Sequence, residues 1–156
     1  MHNNQLFSFT DFKKANNDPA TSGIDYVQAV YTTTPLHFDF LLHYAQLMSP
    51  AIEIVDDRAF IGELFDANRY LDLIKTTQDM DRTQYWMNLL EITGLFDNLT
   101  TEQAIALAQI ISQCWNSNLL TKHGNSCGEA RYICDVDSGE VFVTIARWSL
   151  ADTEEQ

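Results

Sequence analysis

The stretch that most constrains this chain is Leu99–Trp115, LTTEQAIALAQIISQCW. Thr100 is a natural N-cap, because its hydroxyl can accept from an otherwise unpaired backbone N–H one turn on. Gln103 stands where a capping box places its Glu or Gln. From there Ala104, Ile105, Leu107, Ala108, Ile111, Cys114 and Trp115 make a broad apolar face, and Ala106 and Ile110 reach towards the other side. The pattern predicts a central helix buried on more than one side and continuing towards Leu120. Lys122 and His123 are placed near the negative end of its dipole, and Gly124 is its terminator.

A core organised on that helix fits one domain of 156 residues, with 1–6 and 150–156 frayed at its ends. The expected class is α+β: a helix-rich single domain with a central buried helix and a C-terminal antiparallel β-hairpin, paired in a small antiparallel sheet. The hairpin is the clearest strand signal, with arms at Arg131–Val136 and Glu140–Trp148. Val136 to Glu140 suits a type I turn with Gly139 left-handed in a bulge. Val141, Val143 and Ile145 alternate with Phe142, Thr144 and Ala146.

Earlier in the chain, Met1–Asn17 supports one short helix capped by Ser8 or Thr10. Ile24–Tyr31 fits helical spacing slightly better than alternation. Thr32-Thr33-Thr34-Pro35 reads as a helix start, which predicts a well-buried helix from Pro35 to Met48. Ala51–Gly62 reads as a hairpin around Asp56-Asp57, without the preferred Asn-Gly or Asp-Gly pair. Asp66 is expected to cap a helix over Ala67–Thr76, with Tyr70, Leu71 and Ile74 inward. Asp81 is expected to cap another over Arg82–Ile92, with Tyr85, Trp86, Leu89, Leu90 and Ile92 as its apolar face and Gly94 as its left-handed terminator.

Charge limits the function classes. Nine Lys and Arg stand against 22 Asp and Glu, for a net charge of -13. Glu53–Glu102 alone holds eleven acids against Arg58, Arg69, Lys75 and Arg82, a net of -7. Such a surface repels nucleic acid and anionic lipid and speeds encounter with basic partners. No apolar run approaches the ~20 residues of a membrane span, and the N-terminus lacks a signal-peptide core. Three cysteines without paired spacing suit reduced thiols, so the expected compartment is cytoplasmic.

Three constellations invite chemistry. Asp39 and His43, four apart on a helix, could orient a base or begin a metal site, although such pairs are commonly plain surface contacts. Cys114, His123, Cys127 and Cys134 are soft ligands or a thiol–imidazole pair for a small metal-binding or thiol-dependent enzyme, but they lack the tight knuckle of structural zinc. Asp135 to Glu140 resembles a calcium loop, but its glycine comes one residue early and its twelfth residue is Ala146. No nucleophile elbow, phosphate-cradling loop or dinucleotide fingerprint is found. No cofactor is expected.

The remaining expectation is recognition by surface. The chain reads as an acidic module that binds and neutralises a basic protein, such as a toxin, nuclease or defence complex, as an immunity protein, antitoxin or anti-defence inhibitor would. Its expected face combines Asp56, Asp57, Glu63, Asp66, Asp72, Asp79 and Asp81 with Tyr70, Tyr85 and Trp86.

Overall fold

The computed structural model describes residues 8–148 and divides the chain into two compact units, 1–43 and 44–156. In the first, α1 (Phe9–Asn16) is capped by Ser8, whose hydroxyl accepts from the Asp11 N–H at 3.1 Å, and it ends at left-handed Asn17. α2 (Gly23–Thr33) opens with a reciprocal capping box between Ser22 and Asp25. The Ser22 backbone N–H, donating at 2.7 Å, holds the Asp25 carboxyl below the usual carboxylate range. Phe9 and Phe12 of α1 meet the edge of Tyr26, with ring centroids at 5.5 and 5.6 Å.

The threonine run does not start a helix. Thr32 and Thr33 donate their hydroxyls back to the carbonyls of Gln28 and Ala29, which makes them the last turn of α2. Thr34 is its C-cap, Pro35 lies in the connection, and α3 begins three residues later (Phe38–Met48). α3 is also not the well-buried helix its pattern predicts. No residue of α1, α2 or α3 is fully buried, and at the end of α3 Leu47 and Met48 pack, partly buried, against the main core.

The second unit starts with a hairpin of β1 (Ile52–Val55) and β2 (Arg58–Ile61), in which Val55 pairs with Arg58. Asp56 and Asp57 both take positive φ, 49° and 59°, as a two-residue primed turn requires; short polar side chains tolerate this where Asn-Gly is missing. α4 (Ala67–Thr77) is capped by Asp66, as expected, with Tyr70 buried but Leu71 exposed. α5 (Met80–Met87) is capped by Asp79, not Asp81, because the Asp79 carboxylate accepts from the N–H groups of both Asp81 and Arg82. The helix stops five residues short of the expected Ile92. There the chain makes a short strand, β3 (Leu90–Glu91), then one turn, α6 (Ile92–Leu95), which contains Gly94 without a left-handed backbone.

α7 (Thr101–His123) carries the capping box at Thr100 and Gln103 and ends at Gly124. β4 (Glu129–Cys134) and β5 (Val141–Ala146) form the C-terminal hairpin. In its turn Asp135 accepts from the N–H groups of Ser138 and Asp137, which holds its carboxyl below the usual range, while Gly139 takes φ 75°. The sheet order is β3-β5-β4, antiparallel throughout, so β5 is central.

The main core lies between α7 and this sheet. Ala104, Ala108, Ile111, Trp115 and Leu119 pack on Ala130, Val141, Val143 and Ile145. α7 is buried along this one stripe; Ile110 and Ala106, which suggested burial on a second side, face outward because the sheet provides a single layer to pack on. The opposite face of β5 is covered by α5, whose buried side chains are Thr83, Gln84 and Met87, followed by Asn88, rather than the predicted Tyr85 and Trp86 stripe. A smaller cluster of Phe60, Tyr70 and Met87 fills the space beneath α4.

Polar residues occupy that face because backbone groups there need partners. β2 does not pair with β5 as a strand. Instead Gln84 Nε2 donates to the carbonyls of Ala59 (3.1 Å) and Cys127 (2.7 Å), and Gln84 Oε1 accepts from the Arg147 N–H (3.1 Å). Asn88 Nδ2 donates to the carbonyls of Ala59 (3.0 Å) and Ile145 (3.1 Å), and its Oδ1 accepts from the Ile61 N–H (2.8 Å). Gly128, at φ 125°, must be glycine, since a Cβ would lie 2.7 Å from Gln84 Nε2. Asn88→Ala would strand the Ile61 N–H and the Ile145 carbonyl in the interior. Its expected cost is about 2–4 kcal/mol, seen as a lower urea midpoint at unchanged slope. A loss below about 1 kcal/mol would show the amide to be dispensable.

Candidate functional site

At the β1–β2 turn, where Asp56 and Asp57 lie, two more of the predicted residues, Tyr70 and Asp81, come together with Arg58. Arg58 lies across the base of the turn and donates through Nε and Nη2 to one oxygen of Asp81, at 2.8 and 2.7 Å, and through Nη1 to the Asp56 carbonyl at 3.0 Å. Tyr70 rises from α4 and donates its hydroxyl to Asp56 Oδ2 at 2.6 Å. Arg147, just past β5, donates to the Asp57 carbonyl at 2.6 Å. Adjacent Arg58 and two residues remote in sequence, Tyr70 and Arg147, thus clamp a turn whose two left-handed aspartates would be strained on their own.

The clamp sorts the predicted residues by what their carboxylates do. Asp66 and Asp79 are occupied as helix caps, Asp81 by Arg58 and Asp56 by Tyr70. Asp72 is exposed on α4, 4.0 Å from the equally exposed Lys75, a pair that contributes little to stability. The carboxylates of Asp57 and Glu63 are exposed and make no hydrogen bond or ion pair with the described residues.

The aromatics divide in the same way. Tyr70, which the sequence offers as a contact residue, is 6% exposed and supports the face from beneath. Trp86, whose ordinary expectation is core packing, is 44% exposed. It stands edge-on to half-buried Tyr85 at 5.1 Å, and Tyr85 in turn meets Trp148 at 6.0 Å. Arg131 stacks over the Trp148 ring at 4.8 Å, and Arg69 donates to the Trp86 carbonyl at 3.3 Å, which joins this corner to α4. Arg58, Arg131, Arg147 and Trp148 are the members that sequence reasoning missed. A signal existed only for Arg58, a lone cation directly after an Asp-Asp turn.

The alternative chemical groups are not assembled. Cys127 is buried in the main core, Cys134 is half-buried against it, and Cys114 and His123 lie half-buried at separate positions on α7. Among the described residues, no three His, Cys, Asp or Glu side chains come close enough to hold a metal ion. On α3 the carboxylate of Asp39 is 3.3 Å from His37 Nδ1, rather than pairing with His43, and both are exposed. That nitrogen also lies 3.2 Å from the Asp39 N–H, from which it can accept only when unprotonated. An open cleft of about 480 Å³ beside the end of α7 is lined by Asn116, Leu120, Asn125 and Glu129 among others, with no histidine or cysteine. Comparison with protein-family models, curated proteins and solved structures yields no match for this chain.

Burial, the hydrogen bond to Asp56 and the charge of Asp56 together push the Tyr70 hydroxyl up to about 12, against a smaller opposing pull from Arg58. A spectrophotometric titration of folded protein should therefore show Tyr70 ionising late, near pH 12. Asp56→Asn should lower that value without returning it to 10.0, because burial, the largest cause, stays. Because the folded value lies above the unfolded one, the stabilisation by Tyr70 is complete below pH 10 and is lost as pH rises from about 10 to about 12. All tyrosines titrating together near their ordinary value would disprove the clamp.

Proposed function

We propose that the protein is an acidic binding module that captures and neutralises a basic protein partner, such as a toxin, a nuclease or a defence complex, in the manner of an immunity protein, antitoxin or anti-defence inhibitor. The observation that carries the reading is the coexistence of carboxylates not consumed by the fold, Asp57 in the β1–β2 turn, Glu63 between β2 and α4 and Asp72 on α4, with the exposed Trp86 of α5 on a clamped framework. The net charge of -13 provides long-range attraction for a basic surface and repels nucleic acid. Asp57, Glu63 and Asp72 are the steering charges. Trp86, backed by Tyr85 and Trp148, offers rigid apolar area of the kind that dominates interface energetics. The Arg58–Asp81 and Tyr70–Asp56 contacts fix the geometry in advance, which lowers the ordering cost of binding. Among the described residues no helix is long and apolar enough to cross a membrane.

The test separates steering from folding. Asp57→Asn, Glu63→Gln and Asp72→Asn combined remove three charges and leave every cap and clamp in place; asparagine also tolerates the positive φ at position 57. Wild type and the triple variant are used in parallel to capture partners from native lysate, and the captured protein is then re-bound in purified form. The expected partner is one basic protein that wild type blocks in its own activity. The triple variant should associate with it at least about tenfold more slowly at low salt, with a thermal midpoint within about 2 °C of wild type. Trp86→Ala should instead speed dissociation. Equal association rates for wild type and variant, or recovery of the bait alone, would overturn the proposal.

A further inference from the structure

Within the second unit, the three-stranded sheet ends on β4 with part of its edge open. In an antiparallel ladder alternate residues turn their N–H and C=O towards the neighbouring strand, and the others turn theirs away. Asp135, just past β4, donates its N–H to the Glu140 carbonyl at 2.9 Å, so residues 129, 131 and 133 face β5 and residues 130, 132 and 134 face outward. Asn116 takes both outward groups of Ala130, at 2.7 and 2.8 Å. The outward N–H and C=O of Tyr132 and Cys134 have no partner among the described residues. A side chain thus closes one position of the edge and leaves the next two able to receive a strand.

The open positions admit one two-fold register. When β4 pairs antiparallel with a second copy of itself, outward residues must oppose outward residues. An axis at Tyr132 sets Cys134 against Ala130, whose groups Asn116 occupies, and an axis at Cys134 sets Tyr132 against Val136, which lies in the turn after β4. An axis at Ile133 pairs Tyr132 of each copy with Cys134 of the other, and each such pair exchanges both of its N–H···O bonds. Ile133 then meets its own copy in a non-hydrogen-bonded pair, where side chains approach most closely. Arg131 of each copy falls opposite Asp135 of the other, and opposite charges directly across a ladder stabilise it.

Those charges select the occupant. A basic strand, which the net charge of -13 would otherwise attract, brings like charge to Arg131. The chain's own β4 presents the same residues in reverse order, as a two-fold interface requires. Glu129, also on this face, is already engaged by Arg131 at 3.0 Å. We infer that the chain dimerises edge to edge through β4, with Tyr132 and Cys134 of one copy bonded to Cys134 and Tyr132 of the other, in one antiparallel sheet of six strands, three from each copy. The inference does not rest on the proposed partner face, whose steering charges lie on other elements.

Sedimentation equilibrium tests the assembly and directed cross-linking tests the register, both on the full chain at about 0.15 M salt, which screens the like charge of the two copies beyond about 8 Å. A dimer is expected at roughly 100 μM, dissociating towards roughly 1 μM. Cys134→Pro removes an outward N–H where an edge strand tolerates proline, and should raise the dissociation constant at least about tenfold. In a Cys134→Ser background, Ile133→Cys should form a disulfide between copies on mild oxidation, because directly opposed residues lie within the Cα separation that a disulfide spans. Arg131→Cys, which faces position 135 of the other copy, should not. Fluorescence of Trp86, Trp115 and Trp148 during denaturation reports that the second unit is folded in each variant. A wild type that stays monomeric throughout, or Arg131→Cys cross-linking as readily as Ile133→Cys, overturns the inference. So does a monomer whose Tyr132 and Cys134 amides are protected from exchange, since the chain itself would then cover the edge.

Discussion

The structure depends on two neutral amides one turn apart. Gln84 and Asn88 enter the interior from the end of α5 and take up six backbone contacts among β2, the loop before β4 and the end of β5. The β1–β2 hairpin cannot join the three-stranded sheet by ordinary pairing, so its inner backbone groups would otherwise be buried without partners, each at a cost of about 1–3 kcal/mol. Side-chain amides carry two donors and an acceptor at fixed spacing and can substitute for a missing strand. Every donor of both amides is used, and no buried side-chain nitrogen or oxygen among the described residues lacks a partner.

The same device recurs around α7. Asn116 receives the Ala130 N–H at 2.7 Å and donates to its carbonyl at 2.8 Å, which gives edge strand β4 a partner where no further strand exists. Asn118 and Trp115 donate to the carbonyls of Pro50 and Leu47 and hold the segment leading into β1. Apolar burial supplies most of the driving force, and the amides select one arrangement from the many that burial alone would allow.

That rigidity matters for the acidic face. An aspartate pair at positive φ, held by Tyr70, Arg58 and Arg147, presents charge at a fixed place rather than on a wandering loop. The acids there perform two jobs. Asp66, Asp79, Asp81 and Asp56 hold helix ends and the turn, while Asp57, Glu63 and Asp72 leave their charge for the surroundings. Local charge counts cannot make that distinction, because a carboxylate acting as a cap and one left exposed look alike in sequence.

Features resting on contacts within one turn were legible in the residues: the Thr100/Gln103 capping box, the Asp66 cap, the Gly124 terminator, the Asp56-Asp57 turn and the left-handed Gly139 of the C-terminal hairpin. All depend on backbone groups and side chains within about four residues of one another, where spacing determines contact. Periodicity also marked α7 as the central helix and put Val141, Val143 and Ile145 on one face of their strand, which the structure turns towards α7. It misjudged α3, an apolar helix left largely exposed, and α5, whose buried face is polar. The reason is the same in both cases. Whether a face is covered, and whether its cover presents methyl groups or unpaired carbonyls, depends on which distant segments arrive there. Only the tertiary structure could bring Ala59, Cys127 and Ile145 around one helix end and leave Trp86 outside.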